Sequence, residues 1–100
     1  MKPLIISPEA EAELTEAADY LERNRNGCGR EFRVLIKQIS QRIRRNPKQF
    51  PTYGSEGHRK ALLQKFHYTI YFAELEKAIW VAAVAHQSRR PGYWLNRTPE

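Results

Sequence analysis

Side chains able to move a proton or hold developing negative charge gather near the C-terminal end of the chain. His86 is followed by Arg89, Arg90, Tyr93 and Trp94, and Arg59 and Lys60 stand upstream. Cleaving RNA through its 2′-hydroxyl needs a base, an acid and cations for the charge that builds on phosphorus. His86, Arg59, Arg89 and Tyr93 form the set that fits those roles. No carboxylate is clearly placed to orient the imidazole or take a proton; Glu56, in a loop, is a weak candidate. The same cluster also reads as a binding surface, because aromatic rings among arginines stack on bases or anchor a protein interface. Plainer roles stand beside these. His86 reads as the polar end of a buried strand, Arg89 and Arg90 as solvated charges, and Tyr93 and Trp94 as residues packed back onto a sheet. No glycine-rich phosphate loop and no metal-ligand cluster occurs, so neither a cofactor nor a metal is expected.

The elements that must carry these residues follow from hydrophobic spacing. Residues 3–7 are a short Ile-rich strand. Ser7-Pro8-Glu9 opens a helix: Ser caps, Pro fits the first turn, and the acid complements the helix dipole. Leu14, Ala17, Ala18 and Leu21 then fall on one helical face. Residues 24–29, with two glycines, supply the stop and turn; Cys28 is an incidental residue in it. A second helix carries Phe32, Leu35, Ile36, Ile39 and Ile43 on one face and Arg30, Arg33, Lys37 and Arg44 on another. The basic face reads first as a solvated one. Asn46-Pro47 ends this helix. The spacing predicts a loop over 47–58, strands over 59–64, 68–73 and 78–86, and an irregular tail over 87–100. The last strand is nearly all apolar and so is expected to be covered on both faces. The order is β-α-α-β-β-β: an α+β domain in which a helical hairpin packs on a small antiparallel meander.

One hundred residues, 41% of them hydrophobic, supply one small core but not two, so residues 1–100 are expected to form a single domain. The single cysteine excludes an internal disulfide framework. No apolar run is long enough to cross a membrane, and the chain reads as cytoplasmic. The net charge of +6 is unevenly spread. Residues 1–22 hold one base and six acids; the remaining 78 hold 16 bases and five acids, a balance of +11. The basic body points to an anionic partner, either nucleic acid or an acidic protein segment.

Three segments carry a likeness to a known family. Arg59-Lys60-Ala61-Leu62-Leu63, residues 66–72 (FHYTIYF), and Ala83-Val84-Ala85-His86 followed by Arg89-Arg90-Pro91-Gly92-Tyr93-Trp94 resemble the RelE/ParE toxin superfamily of bacterial type II toxin–antitoxin modules. The likeness spans roughly residues 3–97, and the last segment is similar to the ParE, or plasmid-stabilisation, branch. His67 stands where many ParE-like sequences carry Pro. The resemblance implies a growth-arresting toxin neutralised by a cognate antitoxin whose C-terminal segment wraps it. It implies DNA gyrase as the target in the ParE branch, and the ribosome with its mRNA in the RelE branch. On the ParE reading there is no catalytic residue, and Arg59, Lys60, His86, Arg89, Arg90, Tyr93 and Trp94 face the target. On the RelE reading His86, Arg59, Arg89 and Tyr93 are catalytic. Tyr20, Phe50, Tyr53 and Trp80 are the aromatics expected to meet the antitoxin.

Overall fold

The computed structural model describes residues 1–99. The final residue of the expected tail, Glu100, lies outside the described residues. The chain runs β1 (Leu4–Ile6), α1 (Pro8–Asn24), α2 (Cys28–Arg45), a 3-10 turn (Pro47–Gln49), β2 (Thr52–Tyr53), β3 (His58–Leu62), β4 (Tyr68–Glu74) and β5 (Ile79–His86).

α1 begins as its sequence dictates. The Ser7 hydroxyl accepts from the Ala10 N–H at 3.1 Å, and Pro8 occupies the first turn. Ser7 is buried, and its own N–H donates to the Val81 carbonyl, which fixes the helix start to β5. The turn between the helices is tighter than expected. α2 already starts at Cys28, so Gly29 is helical. No side chain of α2 caps that start. Instead the Glu22 carboxylate, on α1, accepts from the N–H groups of Gly27 and Gly29, both at 2.9 Å. These amides hold the Glu22 carboxyl below the usual carboxylate range. A caps-from-afar arrangement of this kind satisfies the orphan donors of a helix start.

The sheet is mixed, not the antiparallel meander expected. Its order is β1-β5-β4-β3-β2, with β1 parallel to β5 and the other pairs antiparallel. The chain leaves β1 through both helices and returns through the strands of the meander. β5 therefore arrives beside β1 running the same way, as parallel neighbours require a long connection. Boundaries differ as well, and β3 ends at Leu62, two residues short of the strand expected over 59–64. β2 lies inside the segment expected to be loop, and β3 begins at His58, a residue read as loop.

β5 is buried along nearly its whole length because both faces of the sheet are covered. On the helix side Ile79, Val81 and Val84 join Leu14, Phe32, Ile36, Ile43, Ile70 and Phe72. On the other side Trp80, Ala82 and Ala83 pack with Trp94, Tyr53, Tyr71 and Tyr93. A register shift at Tyr71/Phe72 leaves Ala82 as the extra residue of a bulge, which puts two consecutive alanines on the tail side. Alanines there leave room for the Trp94 indole, which is 1% exposed.

Candidate functional site

The tail is pinned by a carboxylate that the sequence reading passed over. Glu13 points from α1 across the end of β5. It accepts from the Val84 N–H at 3.1 Å, from the Tyr93 hydroxyl at 2.5 Å, and from both terminal nitrogens of Arg97 at 2.9 and 3.2 Å. Arg97 also donates to the Ala82 carbonyl. Glu13 and Arg97 side chains are 16% and 17% exposed, so the pair is far from a solvated surface bridge. Burial, and then the hydrogen bond to Glu13, push the Tyr93 phenol well above the usual tyrosine range. The Arg97 guanidinium is held charged by the same carboxylate.

Around this hub the tail residues take fixed places. The Arg89 guanidinium lies 4.0 Å from the centroid of the Tyr93 ring, and that of Arg97 lies 5.3 Å from it. Arg89 and Arg90 are exposed. His86 ends β5 half-buried, edge-on to Tyr68 at 5.1 Å. Its Nδ1 accepts from the Ser88 N–H at 3.1 Å and contacts the Ser88 hydroxyl at 2.8 Å. An Nδ1 that accepts a backbone N–H places the proton of a neutral imidazole on Nε2. A cleft of about 380 Å³ opens beside it, lined by Tyr20, Arg23, Tyr68, His86, Ser88 and Arg89, with Glu16 at its wall.

The structure brings His86, Arg89, Arg90 and Tyr93 together and leaves Arg59 and Lys60 elsewhere. Arg59 pairs with Phe72 and His86 with Tyr68, so they are four residues apart along β4, about 13 Å along the strands, and they lie on strands either side of it. Arg59 donates to the Phe50 carbonyl at 2.7 Å and ties down the loop before β2. Lys60 registers opposite Tyr71. Trp94 is core. It stacks on Tyr71 at 4.6 Å, on Tyr53 at 5.5 Å and edge-on to His58 at 4.7 Å. Tyr93 offers its ring but not its hydroxyl, which Glu13 holds. Among the aromatics expected at an antitoxin surface, Phe50 and Trp80 are buried at 8% and 5% exposure and Tyr53 is half-buried against Trp94, while Tyr20 is 53% exposed. On α2, Arg30, Arg33 and Lys37 are exposed, whereas Arg44 is half-buried and donates to the Lys2 carbonyl.

Glu13 and Arg97 escaped the sequence reading for a physical reason. They are 84 positions apart, and on α1 Glu13 is one of six acids in 22 residues with nothing local to single it out. Among the described residues there is no group of three or more His, Cys, Asp and Glu side chains able to hold a metal ion. No helix is long and apolar enough to cross a membrane.

This arrangement of a helical pair on a five-stranded sheet is shared with a solved structure. The fold matches a chain of the chromosomal ParDE TA system from P. aeruginosa with a TM-score of 0.73 at 18% identity, over 86% of this chain and 96% of that one. A search of curated proteins finds no match. Residues 4–91 match the model of the ParE toxin of the type II toxin–antitoxin system, parDE. The chain belongs to the ParE toxin family. It is the toxin component of a type II module, and the partner such a module supplies is an antitoxin.

Proposed function

We propose that this toxin arrests growth by binding DNA gyrase, the activity that membership of the ParE family implies, and not by bond-breaking chemistry of its own. The observation that carries this reading is the state of Tyr93. Its hydroxyl is tied to Glu13 and kept protonated, and Arg59 stands at a distance from His86. A general base must reach the proton it takes, and this tyrosine is committed elsewhere. What the C-terminal end of the molecule offers is an exposed basic edge, Arg89 and Arg90, with Arg89 lying over the Tyr93 ring. Such an edge suits an acidic protein surface. The cognate antitoxin covers the basic body with an acidic segment, and Tyr20 beside the cleft is the aromatic best exposed to meet it. Purified toxin tested in gyrase supercoiling and cleavage-complex assays should inhibit the first or accumulate the second. No effect at micromolar toxin sinks the gyrase target.

One observation favours a second reading, ribosome-dependent mRNA cleavage. His86, Arg23, Arg89 and Glu16 line the same cleft, which gives an imidazole, two cations and a carboxylate. That reading expects codon-phased cuts in translated mRNA. It is lost if His86→Ala and Arg89→Ala both leave toxicity intact.

A further inference from the structure

We infer that Glu13 is a positioning residue for the toxic surface: from α1 it locks the tail so that Arg89 and Arg90 are presented in one geometry. The inference rests on the toxin reading but not on which target the toxin strikes. Three observations carry it. First, the tail from Gln87 to Pro99 contains no helix or strand, so no backbone ladder holds it. Its first residue is tied to the body, Gln87 N–H donating to the His67 carbonyl at 2.8 Å, but beyond it the backbone bonds are short-range turns, such as Arg89 N–H to the His86 carbonyl and Arg97 N–H to the Trp94 carbonyl. Second, beyond Gln87 the side-chain anchorage of the tail to the body centres on Glu13, with one further bond from Arg97 to the Ala82 carbonyl. The two Glu13 oxygens receive Tyr93 and Arg97 from the tail and the Val84 N–H from β5, so one carboxylate joins α1, the sheet and the tail. Third, Arg89 is placed through Tyr93. Its guanidinium lies over the ring whose hydroxyl Glu13 holds. A chain of contact therefore runs from a helix residue to the exposed arginine.

The alternatives within the molecule are weaker anchors. Trp94 fills the outer core and holds the middle of the tail by burial, with no direction imposed on Arg89. Ser88 binds His86, its near neighbour, and so fixes only the first turn. Removing one member of a partly buried charge network leaves the others unpaired and costs more than the contact was worth. Glu13→Gln keeps the size and an oxygen for the Val84 N–H, but it gives up the charge that Arg97 needs.

The test is amide exchange and growth arrest on the full chain. Glu13→Gln should leave the protected amides of β4 and β5 as in the wild type. It should raise exchange of the tail amides between residues 88 and 97 by about tenfold or more, and growth arrest on induction should be lost. Arg97→Ala should do the same, and the double variant should fall short of the sum of the two single effects, since the two residues share one link. A tail that loosens while growth arrest persists overturns the inference, and so does a tail that stays protected in Glu13→Gln. Arg97→Ala that abolishes growth arrest with a protected tail also overturns it, because Arg97 would then be touching the target itself. A wild-type protein inactive on gyrase but toxic in cells removes the gyrase target and leaves this inference standing.

Discussion

The Trp94 indole meets the His58 imidazole edge-on, with 4.7 Å between ring centroids. The contact seals His58 beneath the tail. The imidazole is 8% exposed, and its Nδ1 has no hydrogen-bond partner among the described residues. Burial pushes its pKa below the ordinary histidine value, and Glu56 opposes that in part. The folded state therefore binds this proton more weakly than the unfolded chain, in which a histidine titrates near pH ~6.5. Stability rises with pH wherever the unfolded state holds more protons. The stability is complete above about pH 6.5 and is lost as pH falls below it toward the lower folded value. Denaturant midpoints measured from about pH 7.5 to about pH 5.5 should fall, and His58→Phe, which keeps an edge-on ring under Trp94, should flatten that fall. Parallel pH curves for the two proteins would exclude His58 as the group responsible.

The helical hairpin has one position where a methyl group does not fit. A Cβ on Gly29 would stand 2.6 Å from the Ala18 carbonyl oxygen and 3.0 Å from Glu22. The nearer atom is backbone, so relief requires α1 and α2 to part. Gly29→Ala should cost roughly 1–3 kcal/mol although alanine is the better helix former. Urea unfolding with an unchanged slope measures it; a neutral or stabilising result would mean the helices slide apart freely.

The turn between β3 and β4 stores strain that a substitution can release. Phe66 and His67 both have left-handed backbone, with φ of 74° and 61°. Phe66 recovers something for this through its edge contact with Phe32 and the cation of Lys65 over its ring. His67 is exposed. Left-handed geometry costs a residue with a Cβ about 1–2 kcal/mol, and glycine spends part of the gain on unfolded-state entropy. His67→Gly should therefore stabilise by about 0.5–1 kcal/mol, whereas Phe66→Gly should destabilise through lost packing. Thermal unfolding of both variants checks the contrast in sign.

Much of the frame is legible in the amino-acid sequence, and the parts that are not share a cause. Ser7-Pro8, the Leu14–Leu21 stripe and the five apolar positions of α2 are local signals, and the helices form where those place them. The apolar run of β5 announced a strand covered on both faces, which it is. Pairing is not local. Three residues of β1 carry no mark of the parallel neighbour they find, and two residues of β2 are too few to stand out from a loop. Gly29 read as a turn because its cap, Glu22, sits on the previous helix. At the site, the clustering of His86 with Arg89, Arg90 and Tyr93 followed from their closeness in sequence. The separation of Arg59 from them, the burial of Trp94 and the hub at Glu13 depend on register and on contacts across the whole chain.

Arg90 gives the sharpest check on where the target binds. It is exposed at the turn beyond β5, next to Arg89 on its tyrosine platform. Reversing its charge touches no core residue, so Arg90→Glu should unfold within about 0.5 kcal/mol of the wild type. If the basic edge meets an acidic protein surface, the same change weakens target binding by about tenfold or more at low salt, and the difference narrows as salt screens the pair. Net charge alone would give a similar trend, which a control must separate. Lys77 lies in the turn between β4 and β5, at the end of the sheet opposite His86. Lys77→Glu changes the total charge by the same amount in the wrong place. Growth arrest and gyrase inhibition should therefore be lost in Arg90→Glu and kept in Lys77→Glu. Equal loss in both variants would show that overall charge, and not this edge, brings the toxin to its target.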